Sequence, residues 1–147
     1  MSTYTDTSFL VSLYSLDINS RAATTFMASV RLPVSITPLG ELELINALHL
    51  RLFRREMTAA DVQSAVSLFR LDVEAGIFVL KSLSIAAFER AKRIARLRTP
   101  ELGTRSLDVL HVASALVLRA DTFCTFDLRQ AALARAEKLN TPVTANL

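Results

Sequence analysis

The chain has 147 residues, enough for one domain over 1–147 with a full core, and 51% hydrophobic against 21% charged residues describe a compact, apolar globule. A net charge of +3, 7% aromatic residues and no Trp permit a nucleic-acid partner without advertising a base-stacking platform. One Cys rules out an internal disulfide and a cysteine-based zinc site; with no basic leader before an apolar run, and no apolar stretch near about 18 residues, the expected address is the cytoplasm.

Residues 2–6, STYTD, read as a strand ending in Asp6, and residues 8–16 and 20–30 as helices parted by residues 17–19. Residues 33–37, PVSIT, read as a second strand. Pro38 opens a helix to residue 56, because Pro suits the first helical turn. Thr58 and Asp61 resemble a capping box. Val62, Ala65, Val66, Phe69 and Val73 then form one helical stripe that Gly76 stops. Residues 77–80 read as a third strand. Ser84 starts a helix whose pattern Pro100 and Gly103 break. Residues 105–120 form a helix apolar on most sides, hence buried. Residues 122–126, TFCTF, are a fourth strand that buries Cys124, residues 128–140 a helix, and residues 141–143, TPV, a short last strand. Strands alternating with long helices imply right-handed crossovers, a parallel sheet and helices on both faces, so the fold class is α/β.

In such a sheet the carboxyl ends of the strands share one edge, and ligands bind there where strand order reverses. Asp6 and Asp127 each end a strand and precede a helix. Asp108 lies in the first turn of its helix, which points to the same edge, and Glu43 lies one turn into the helix after strand two. Each aspartate has an alternative role as a helix cap. Four converging carboxylates would repel and raise one another's pKa, a penalty that a hard divalent cation with oxygen ligands removes. Glu41 competes with Glu43: two residues apart on a helix is about 200° of rotation, so only one can face the site.

YTDTSFLVSLY, TPLGELELINAL, RSLDVLHVASAL and FCTFDLRQAALARAEKLN resemble, in order and spacing, the four acidic segments of the PIN-domain nucleases. The small form is most similar to the VapC-type toxins of toxin–antitoxin pairs. The resemblance covers residues 2–143 and places the acidic positions on Asp6, Glu43, Asp108 and Asp127, with Glu43 four residues before Ala47–Leu48. It implies a three-layer α/β/α sandwich with a five-stranded parallel sheet in the order 3-2-1-4-5. It further implies an endoribonuclease dependent on Mg²⁺ or Mn²⁺, in which one or two cations activate water against an RNA phosphodiester. Asp6 and Asp108 would be the most direct ligands, and Asp127 and Glu43 would bind through water or orient the nucleophile. A cognate antitoxin and a homodimer are the partners implied.

Thr7, Ser8 and Thr125 are candidates for hydrogen bonds to a carboxylate or phosphate, with capping or packing as the alternative. Arg105 and Arg129 lie near acidic positions and could clamp a phosphate or pair with carboxylates in the resting protein. His111, three residues after Asp108, reads as a packed histidine, a metal ligand or a general base; His49 is assigned no role. Arg51, Arg54 and Arg55 suit a helix C-terminus. Arg90, Lys92, Arg93, Arg96 and Arg98 form either a solvated face or a contact for RNA phosphates. A PIN-like RNA-binding or protein-interaction module without turnover is the alternative function. A haloacid-dehalogenase phosphatase would need a second Asp where Ser8 stands.

Overall fold

Every strand in the computed structural model, which describes residues 1–143 and 145, is three residues long, and helices make every crossover. In chain order the elements are β1 (Thr3–Thr5), α1 (Thr7–Tyr14), α2 (Ser20–Ser29), β2 (Val34–Ile36), α3 (Pro38–Phe53), α4 (Ala59–Glu74), β3 (Phe78–Leu80), α5 (Ile85–Leu102), α6 (Ser106–Val117), β4 (Thr122–Cys124) and α7 (Leu128–Ala136). The four described strands pair in parallel in the order β3-β2-β1-β4. Tyr4 lies opposite Ser35 on one side and Phe123 on the other, which sets the register of the three central strands.

The expected fifth strand at residues 141–143 is not formed. Its place beside β4 is taken by a single parallel bridge between Thr122 and Asn140. Asn140 gives its N–H to the Asp121 carbonyl at 2.9 Å and accepts from Phe123 N–H at 2.8 Å. Two residues on, Pro142 has no N–H to donate, so the ladder cannot lengthen. The order 3-2-1-4 therefore stands, with one bridge where the fifth strand was expected.

Side chains alternate across the sheet and meet helices on both faces. Tyr4 and Phe123 pack with Ile94 of α5, Val109, Val112 and Ala113 of α6 and Leu133 of α7. Val34, Ile36 and Phe78 pack on the other face with Leu10 of α1, Leu44 and Leu48 of α3 and Phe69 of α4. Phe9, Ala23, Cys124 and Phe126 form a third cluster beside α1 and α2. The result is the three-layer α/β/α arrangement.

Helix ends follow local chemistry. Thr58 accepts from Asp61 N–H at 3.1 Å while the Asp61 carboxylate accepts from Thr58 N–H at 3.1 Å, the reciprocal pair that starts α4. Thr58→Ala is expected to lower stability by about 1 kcal/mol and Tm by about 2–4 °C in a thermal melt. An unchanged melt would show that α4 does not depend on this cap. α4 ends with Gly76 at φ 77, where Gly76 N–H reaches the Val73 carbonyl and Ile77 N–H the Asp72 carbonyl.

Three other helices end in the same geometry without glycine. Arg55 (φ 61), Arg119 (φ 59) and Lys138 (φ 68) occupy the left-handed position after α3, α6 and α7. Their N–H groups and those of Glu56, Ala120 and Leu139 close back on carbonyls of the last turn. These helices are therefore shorter than expected from the residue pattern, which ran them to 56, 120 and 140. α5 is longer: it continues through Pro100 to Leu102 and stops at Gly103, φ 62. Pro100 falls in the last turn, where its missing N–H removes one bond and leaves the rest of the helix intact.

Candidate active site

Asp6 follows β1 and caps α1: its Oδ1 accepts from Phe9 N–H at 3.0 Å. The side chain is buried at 1% exposure, and no Lys or Arg among the described residues forms an ion pair with it. Hydroxyls compensate instead. Ser8 donates to Oδ1 at 2.8 Å and Thr125 donates to Oδ2 at 2.5 Å. The same hydroxyls accept from the turn after β4, Ser8 from Phe126 N–H at 2.9 Å and Thr125 from Asp127 N–H at 3.0 Å. One carboxylate is thereby tied to the backbone that carries another. Burial still dominates and lifts the Asp6 carboxyl from 3.8 to about 6, against the lowering effects of nearby His111 and of its hydrogen bonds.

Asp127 caps α7, its Oδ1 accepting from Gln130 N–H at 2.9 Å. Asp108 lies in the first turn of α6 and is buried. Arg105, two-thirds exposed, bridges the two: Nε donates to Asp108 Oδ2 at 2.9 Å and Nη2 to Asp127 Oδ2 at 3.2 Å. Glu43 projects from α3, where Thr7 donates to its Oε1 at 2.8 Å and His111 Nε2 lies 2.5 Å from the same oxygen. Burial works against the Glu43 charge, but the His111 and Thr7 hydrogen bonds and the nearby Arg105 outweigh it and hold the carboxyl below its usual range.

Asp6, Glu43, Asp108 and Asp127 line one cleft of about 120 Å³ at the carboxyl edge of the sheet, with Thr7, Ser8, Arg105, His111 and Gln130. Glu41 does not line it; the 200° argument is resolved in favour of Glu43. Thr125 reaches the cleft through Asp6. Arg129 does not line the cleft: it donates to the Gly103 carbonyl at 3.3 Å and binds the start of α7 to the end of α5. Two residues escaped sequence reasoning, Gln130 in the cleft and Tyr4 in the core behind it. Gln130 is 2% exposed and donates from Nε2 to the Asp108 carbonyl at 3.3 Å; its signal is its position three residues after a capping aspartate. Tyr4 is fully buried, and its hydroxyl lies 2.7 Å from His111 Nδ1; nothing in the strand pattern marks it.

The donor set is all oxygen, which suits a hard divalent cation. Four carboxylates face one guanidinium and one imidazole, and the most buried of them, Asp6, pairs with no Lys or Arg among the described residues. The chemistry of the cleft therefore fits such an ion. As arranged, no three acidic, histidine or cysteine side chains among the described residues stand close enough to share one. Asp108 and Asp127 are turned to Arg105, and Glu43 to His111.

Fold and site together define a parallel α/β protein with an acidic cleft where strand order reverses, between β1 and β4. The PIN-domain family model matches residues 3–136, and the chain belongs to that family. A chain of a toxin–antitoxin complex from Klebsiella pneumoniae is 17% identical with a TM-score of 0.65, covering 89% of this chain and 91% of that one. VapC20 of Mycobacterium tuberculosis, a sarcin–ricin loop cleaving toxin, is 20% identical with a TM-score of 0.70, covering 89% and 94%. FitAcB from Neisseria gonorrhoeae is 16% identical with a TM-score of 0.65, covering 95% of each chain. At these identities the likeness is one of fold. No curated protein matches the sequence.

Proposed function

We propose that the chain is an endoribonuclease dependent on Mg²⁺ or Mn²⁺ and acts as the toxin of a toxin–antitoxin pair in the cytoplasm. The observation that carries this reading is the meeting of Asp6, Glu43, Asp108 and Asp127, from four separate segments, in one cleft. Membership of the PIN-domain family supports it, as does the fold shared with toxins of such pairs. No helix among the described residues is long and apolar enough to cross a membrane.

Asp6, Asp108, Asp127 and Glu43 are the residues that would hold the cation. When bound, it would neutralise charge on the scissile phosphate and lower the pKa of the attacking water. Thr125 and Ser8 keep the Asp6 oxygens fixed in direction, since each hydroxyl is itself anchored by a backbone N–H. Thr7 holds Glu43 Oε1 with a hydrogen bond of its own. Arg105 is the cation of the cleft's mouth, exposed enough to leave its carboxylates for a phosphate oxygen. Partner antitoxin and homodimer belong to the same proposal.

Addition of excess EDTA is expected to abolish cleavage of a structured RNA by the purified chain, and Mn²⁺ or Mg²⁺ to restore it. Mn²⁺ at 100 times its Kd should also stabilise the fold by about 2.7 kcal/mol, seen as a higher Tm. Metal-independent cleavage together with an unmoved melt would overturn the reading. The alternative, a binding module without turnover, predicts the rise in Tm and no RNA fragments.

A further inference from the structure

His111 is the one ionisable group of the cleft that the proposed reaction leaves without a task. It is 2% exposed on α6, yet its ring is not merely packed. Both nitrogens are engaged, Nδ1 with the Tyr4 hydroxyl at 2.7 Å and Nε2 with Glu43 Oε1 at 2.5 Å. Neither nitrogen offers a free lone pair to a metal ion. Tyr4 is itself locked in place, stacked on Phe123 with ring centres 5.6 Å apart and set edge-on to His111 at 5.9 Å.

We propose that His111 is a positioning residue: it donates its Nε2 proton to Glu43 Oε1 and leaves Oε2 as the oxygen that Glu43 offers to the cleft. The proton's place follows from its neighbours. The Tyr4 phenol carries a proton and, 2.7 Å from Nδ1, can donate it there. Glu43 Oε1 already accepts the Thr7 hydroxyl proton at 2.8 Å, so the proton of the 2.5 Å contact is assigned to Nε2. Thr7 adds a second donor to the same oxygen at 2.8 Å. Two donors on Oε1 fix the carboxylate's rotation, the role that outer hydrogen bonds play for acidic ligands generally. The chain Tyr4–His111–Glu43 thus runs from the core side of β1 to the cleft.

This inference rests on the nuclease reading for its consequence, but its first test does not. In the ¹⁵N-labelled, metal-free protein, the imidazole spectrum should show His111 protonated at Nε2, with that signal displaced in Glu43→Gln; His49 serves as the internal reference. A ring protonated at Nδ1 alone would overturn the proposal. The second test uses Mn²⁺ calorimetry and RNA cleavage. His111→Leu should weaken Mn²⁺ binding or kcat by about 10–100-fold with little change in KM. His111→Gln, whose amide can donate to Oε1, should recover most of the loss. In a Glu43→Ala background, His111→Leu should add nothing further. A Gln variant as impaired as the Leu variant, or a full additional loss in the Glu43→Ala background, would mean that His111 only fills space. If His111→Leu does not fold, Tyr4→Phe and Thr7→Val, each removing one hydroxyl of the network, are read in the same way. Failure of the nuclease reading is separate: an Asp6→Asn protein that cuts RNA like the wild type removes that reading, while the imidazole spectrum still decides the hydrogen bond.

Discussion

Asp6→Asn is expected to lower RNA cleavage on the order of 10³-fold while making the metal-free protein more stable near pH 7. The first effect follows from removing charge at the most buried of the four carboxylates in the proposed cation site. The second follows from its surroundings. Asn keeps an oxygen for Phe9 N–H, and the Ser8 and Thr125 hydroxyls can turn to accept from its amide. What disappears is a buried charge that no Lys or Arg among the described residues pairs with. The native carboxyl titrates at about 6 against 3.8 in the unfolded chain, so between these values the folded state binds more protons. Stability from this group is full below about pH 4 and falls as pH rises through 6. The difference of about two pH units corresponds to roughly 3 kcal/mol. Melts of wild type and Asp6→Asn in EDTA should therefore nearly coincide at pH 4 and separate toward pH 7, with the variant higher. Curves that run parallel across that range would show that Asp6 is not desolvated as described. Full cleavage by the variant would remove Asp6 from the site.

Phe9→Ala should cost about 3–5 kcal/mol, a fall in Tm of roughly 10 °C for a chain of this size. Phe9 is fully buried, stacks on Phe126 with ring centres 5.6 Å apart and meets Phe26 edge-on at 5.9 Å. Its backbone N–H is the group that Asp6 caps, and Phe126 belongs to the turn that Ser8 holds. The substitution leaves a cavity behind the cleft where two of the acidic segments meet. A fall in Tm of less than about 3 °C would show that the site closes over the gap. Activity at a temperature well below the new melt is the control that separates stability from chemistry.

Part of the candidate site was legible because two of its acidic residues stand at a punctuation mark. Asp6 and Asp127 sit between a short β-branched or aromatic run and a helical pattern, and topology alone carries such positions to one edge. Glu43 could not be chosen over Glu41 by periodicity, since apolar residues flank both; the packing of α3 makes the choice. The partners of the carboxylates were less visible. Arg105 was recognised as a candidate for pairing, but its bridge to Asp127 spans 22 positions and depends on how the α6 and α7 starts face each other. Arg129, equally close in sequence, points away. The helix ends at Arg55, Arg119 and Lys138 were missed because cations rarely mark a left-handed residue, although they complement the negative helix end. The fifth strand failed on a single residue, Pro142, which the residue pattern alone weighted too little.

β1 and β4 lie side by side although 119 positions separate the residues joined across them, so the first and fourth strands meet only after every intervening crossover has been laid down. An emerging polypeptide that has not yet supplied residues 122–127 lacks the wall carrying Asp127 and the hydroxyl of Thr125 that steadies Asp6. The cleft is consequently complete only after both of these distant strands have been supplied. Until residues 122–127 dock beside β1, the four carboxylates have no common wall.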